Sequence, residues 1–142
     1  MIVHIVLFVD STIQMLLGAS RYDFSVDMWA IGCILFELLA NVPLFPGGTD
    51  IEQIARITAA LGPFEWPGSA SLPDAGKIII DAPEEPSLPN TLAHFPAEAA
   101  DLITKLLVLN PTKRLTAQQA LKHPFLTSLP LPSLTIRLKD NE

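Results

Sequence analysis

Apolar positions change their spacing several times along the chain, and each change marks an element. The opening stretch Met1 to Val9 is apolar and rich in β-branched residues, which suits a strand or an unpaired apolar segment. A short helix is expected over residues 11–17, closed by Gly18. In DMWAIGCILFELLA, Asp27 to Ala40, no charge occurs from Met28 to Phe36. A helix there has no polar face and is expected at the centre of the core, with Ser25 as N-cap and Asp27 in its first turn. It ends before NVPLFPGG, where prolines and a glycine pair forbid continuation.

The period then becomes clearly helical. Ile51, Ile54, Ile57 and Leu61 share one face of a helix that starts at Thr49 in the capping box TDIE and stops at Gly62. Residues 64–90 are irregular, yet Trp66 and KIIID carry too much apolar surface for a solvated linker, so a loop packed on the helices is expected. A further helix over residues 96–109 turns Leu102, Ile103, Leu106 and Leu107 inward and is broken at Pro111. A last short one begins with a second capping box, TAQQ at Thr116 to Gln119, and runs to His123-Pro124. The tail LPLPSLTIRLKDNE is expected to be extended. The fold class is therefore mainly α: about five helices joined by long, proline-rich loops.

Composition narrows the function. The 142 residues carry 15 acidic against 9 basic side chains, a net charge of −6, which argues against nucleic-acid partners. No run reaches the ~18 apolar residues that a membrane-spanning helix needs, so no membrane partner is expected. The single cysteine, Cys33, excludes an internal disulfide and reads as a buried thiol in a reducing cytoplasmic or nuclear setting. His4, His94 and His123 lack the spacing and acidic neighbours of a metal site.

The ordered stretches YDFSVDMWAIGCILFELLANVPLFPG, DIEQIARITAALG with WPG and LPD, and FPAEAADLITKLLVLNPTKRLTAQQALKHPFL resemble the C-terminal part of the large lobe of a protein kinase. The cyclin-dependent (CMGC) type is the nearest pattern, and PLFPGGTDIEQ with LPDAGKI is most similar to the cell cycle-related kinase branch. The resemblance covers residues 15–126, leaving an unmatched apolar start (1–14) and an extended tail (127–142). It implies structural roles for Asp27, Trp29, Gly32 and Arg114. Asp27 would accept amide protons from the catalytic loop and brace it; the alternative is an ordinary first-turn acid favoured by the helix dipole. Arg114 matches an arginine that pairs with a glutamate of an A-P-E motif, but here the corresponding residues are Thr12, Ile13 and Gln14. If Arg114 is buried, loss of that charge costs ~3–5 kcal/mol; if it is an exposed helix-end arginine, the exchange costs little.

The chemistry of that family needs ATP and Mg²⁺, a glycine-rich loop, a strand lysine, H-R-D-x-x-x-x-N and D-F-G. None occurs in these residues; Gly47-Gly48 and the YDF at Tyr22 to Phe24 are only superficial matches. No catalytic, cofactor-binding or metal residue is therefore assigned, and the chain alone is expected to be inactive, a truncated fragment of a serine/threonine kinase. The alternative is a non-catalytic interaction module that competes with a parent kinase for partners. Its docking surface would be the Thr49-to-Gly62 helix and the insert from Trp66 to Asp81. A product with no independent role is the third reading.

Overall fold

A computed structural model describes residues 12–21 and 23–128; the expectations for residues 1–11 and for the tail from residue 129 lie outside it. Seven α-helices occur among the described residues, and no strand. They are α1 (Ile13–Leu16), α2 (Ser25–Ala40), α3 (Asp50–Leu61), α4 (Leu88–Leu92), α5 (Ala97–Leu106), α6 (Ala117–Ala120) and α7 (Pro124–Thr127). The mainly α class is as expected, with two more helices than the apolar periodicity indicated.

The core is built around α2 and α5. Trp29, Cys33 and Phe36 of α2 are buried with Ile54 and Ile57 of α3, Leu88 and Leu92 of α4, and Ile103 and Leu107 from α5 and its end. Met28, Leu102, Leu106 and Ala120 form a smaller cluster that seats α6. Close approach of α2 to α5 depends on Gly32. A Cβ there would stand 2.9 Å from Leu107 Cδ2 and 3.0 Å from Leu106 Cβ, inside van der Waals contact.

Helix ends follow local chemistry, with corrections. Thr12 caps α1, its hydroxyl accepting from the Met15 amide, so this helix starts at residue 13. Ser25 is not the N-cap of α2 but its first residue; the Asp23 carboxylate, two positions earlier, accepts from the Ser25 amide at 2.9 Å. Asn41 closes α2 in the left-handed conformation at φ 58°, one that asparagine tolerates well. Thr49 caps α3 by accepting from the Glu52 amide, but Glu52 reaches back to the Gly48 amide rather than to Thr49, so the box is displaced by one residue. The Thr116–Gln119 box forms in both directions.

Pro124, expected to end the last helix, instead opens α7 at a position where its missing N–H costs nothing. The Pro96-to-Leu109 expectation shortens to Ala97–Leu106, with Leu107 as its cap. Residues 64–87 run over the helices through two 3-10 turns, and Trp66, Leu72, Ala75, Ile78 and Ile80 pack on the core, as the apolar content required. This stretch is also tied to α1: the Asp74 amide donates to Leu17 O at 3.1 Å. Gly18, at φ +83°, passes under Asp74, where any Cβ would clash.

The largest correction concerns α2 itself. One side is buried, but Ile31 is 47% and Leu38 69% exposed, with Ile34 and Leu39 also open. The helix is apolar all round and covered on one side only among the described residues. Ile51 likewise is exposed, at the end of α3 beyond the buried Gln53, Ile54, Ile57 and Thr58.

Candidate functional site

The residues singled out from the sequence separate into two groups. Trp29 and Arg114 come together in the core beside Gly32's helix turn, whereas Asp27 is exposed on the first turn of α2. Among the described residues nothing hydrogen-bonds to Asp27, so its carboxylate faces outward beside the exposed apolar side of the helix.

Arg114 is buried, at 4% exposure. Its Nε and one terminal nitrogen both donate to Val108 O, at 3.1 and 2.8 Å, and the other terminal nitrogen donates to Ser25 O at 2.6 Å. The guanidinium also lies over the Trp29 ring, 5.1 Å from its centroid, a cation–π contact. Trp29 in turn stacks on Phe45 at 5.8 Å. One side chain thus ties the start of α2 to the turn after α5. All of its hydrogen-bond acceptors are neutral carbonyls, and among the described residues no carboxylate pairs with it. Burial lowers its pKa to about 10, opposed by the charge of nearby Asp23.

Gln14 occupies the neighbouring position. Its amide nitrogen donates to Leu109 O at 2.8 Å, on the carbonyl next to the one Arg114 uses. Its Oε1 is buried with no donor, as is the Trp29 indole N–H. Of the two alternatives for Arg114, the buried one holds. The sequence reading missed the partners it uses, because backbone carbonyls leave no residue pattern to find.

Two cavities flank this cluster. A cavity of about 560 Å³ is lined by Arg114, Ser25, Asp23 and the apolar Phe24, Met28 and Leu115. A smaller one of about 310 Å³ is lined by Gln14, Arg21 and Asp23.

Elsewhere, His123 is buried and bridges α5 and α7: Nε2 lies 2.8 Å from Asp101 Oδ2 and Nδ1 accepts from the Phe125 amide. That pattern fixes the Nε2–H tautomer in the neutral ring. Asp101 also takes Lys105 Nζ at 2.6 Å, and these two hydrogen bonds hold its carboxyl below the usual carboxylate range. Cys33 is a buried thiol.

The glycine pair does not fit a phosphate cradle. The Gly47 amide donates to Gln53 Oε1 and the Gly48 amide to Glu52 Oε2, so both N–H groups are engaged by their own helix. Among the described residues no group of three His, Cys, Asp or Glu side chains could hold a metal ion, and no helix is long and apolar enough to cross a membrane. The residues present do not fit a bound Mg²⁺–nucleotide.

Comparison with known proteins matches residues 14–126 to the protein kinase domain family. Cyclin-dependent kinase 20 of Danio rerio is 43% identical over 125 residues, covering 84% of this chain and 36% of that protein. A probable serine/threonine-protein kinase, the KIN28 homolog of Encephalitozoon cuniculi, is 41% identical over 125 residues, covering 84% of this chain and 39% of its own. Cyclin-dependent kinase D-1 of Arabidopsis thaliana is 39% identical over 128 residues, 88% of this chain and 32% of its own. The chain spans between a third and two-fifths of the length of such relatives.

Proposed function

Because the chain belongs to the protein kinase domain family, and within it to the cyclin-dependent type, we propose that it is the C-terminal scaffold of a serine/threonine kinase large lobe. In the whole enzyme the activity is ATP- and Mg²⁺-dependent phosphorylation of proteins with a cyclin-like activator. These 142 residues hold none of the phosphate, metal or base groups of that reaction and do not catalyse it alone. The observation that carries the reading is the half-covered α2. Its apolar, outward-facing Ile31, Ile34 and Leu38, with Asp27 on the same side, present the surface against which a catalytic loop would rest. Asp27 would then accept amide protons from that loop, while Trp29, Gly32 and Arg114 hold α2 rigidly from behind. Rigid support of this kind is what lets a loop position a base to within a fraction of an ångström.

The test is isothermal titration of the purified chain with ATP and Mg²⁺, together with a phosphorylation assay on a generic basic protein. Neither binding at micromolar concentration nor phosphate transfer is expected; either one overturns the reading.

A second reading, that the chain competes with a parent kinase for partners, is favoured by Ile79, 94% exposed in the insert, and by exposed Ile51 at the start of α3. Both lie on the segments proposed for docking. Pull-down of such a partner that survives Ile51→Asp with Ile79→Asp would remove its support.

A further inference from the structure

The cavity beside Arg114 has three properties that belong together. Its wall contains a guanidinium buried to 4% exposure whose described hydrogen bonds go only to neutral carbonyls. The fork has five N–H groups, and three donations are made. Apolar surface from Phe24, Met28 and Leu115 lines the same space. Its volume of about 560 Å³ is that of a small-molecule site.

We infer that this cavity binds a monocarboxylate with an apolar body, its carboxylate paired with Arg114 and its body against Met28 and Leu115. A planar carboxylate matches the guanidinium fork and supplies the negative charge that the carbonyls lack. Asp23 lines the cavity too, engaged by the Ser25 amide, and its charge penalises a dianion such as phosphate more than a single carboxylate. The desolvated state of Arg114, visible in its lowered pKa, is what a bound carboxylate would relieve. This inference stands apart from phosphoryl transfer, because no nucleotide group or kinase motif enters it.

The test uses the full chain and three probes: benzoate, benzamide as its neutral counterpart, and inorganic phosphate. Isothermal titration is expected to show saturable binding of benzoate at one site and none of the other two. Arg114→Lys, which keeps the charge but loses the fork, should weaken benzoate at least about tenfold. Since that buried position is sensitive, Asp23→Asn gives an independent reading: asparagine still caps α2, and removal of the opposing charge should tighten benzoate severalfold. No benzoate binding, benzamide binding as tightly, phosphate binding more tightly, or an Asp23→Asn variant of unchanged affinity would each overturn the inference.

Discussion

Restoring a negative charge at position 14 probes the buried arginine directly. Gln14 and Arg114 hang on adjacent carbonyls, Leu109 O and Val108 O, and both side chains are buried. In Gln14→Glu the donated bond to Leu109 O is lost, at a cost of about 1 kcal/mol. A carboxylate that swings onto the guanidinium gains a charge-assisted hydrogen bond of about 1.5–3 kcal/mol. The net expectation is a stabilisation of about 1 kcal/mol. In an Arg114→Met background the same glutamate is a buried, unpaired acid and should destabilise by about 2 kcal/mol, so the coupling energy is about 3 kcal/mol. Urea unfolding of the four proteins reads these values, with tryptophan fluorescence as probe because Trp29 lies under the guanidinium. A coupling below about 0.5 kcal/mol would show that position 14 does not reach Arg114, and the account of the cluster would fail.

Gly32→Ala should cost about 1–3 kcal/mol, since the new methyl has no room between α2 and the Leu106–Leu107 turn; an unchanged urea midpoint would contradict that packing. Asp101 has a lowered pKa from its hydrogen bonds to Lys105 and His123. Its contribution is therefore fully present above the ordinary carboxylate pKa of about 4 and is lost as pH falls through the lower, folded-state value. Asp101→Asn should flatten that acid limb in a circular-dichroism titration, and an identical limb in both proteins would refute it. Nitrogen chemical shifts of His123 at neutral pH should report the Nε2–H tautomer, because the Phe125 amide claims Nδ1; an Nδ1–H ring would be inconsistent with the α7 cap. Ile31→Glu with Leu38→Lys should lower binding of a hydrophobic dye and any self-association seen by sedimentation, with helix content retained, because both side chains are open to solvent. Loss of helix on this pair of substitutions would mean that the outer side of α2 is covered after all.

What the sequence revealed, it revealed where both partners of an interaction lie within four residues. The Thr116–Gln119 box is an i, i+3 pattern and forms as written. The inward face of α5 is an i, i+3, i+4 pattern, and Leu102, Ile103 and Leu106 are all buried. Failures share a cause as well. Pro89 reads as a breaker, yet it stands in the first turn of α4, where its missing amide is harmless. Ser25 is a good cap by type, but Asp23 lies in reach of the same amide and takes it. Arg114 was identifiable only through resemblance. Its acceptors are the carbonyls of residues 25 and 108, groups every residue possesses.

The exposed side of α2 shows why periodicity could place the helix but not its surroundings. An amphipathic pattern records a helix with one dry face, so its orientation can be read from the sequence. A pattern apolar on every side records only that all faces are dry in the setting where the helix functions. It does not say which segment covers which face. Among the described residues α5, α3 and α4 cover one side, through Trp29, Cys33 and Phe36. Ile31, Ile34 and Leu38 are left roughly half exposed. At about 1.5–3 kcal/mol for full burial of each such side chain, the uncovered half forfeits on the order of 3 kcal/mol. That is a substantial share of the 5–15 kcal/mol that holds a typical domain together. The Gly32 contact and the Arg114 clasp act on the opposite side of the same helix, so they fix where α2 stands without depending on what covers its outer face.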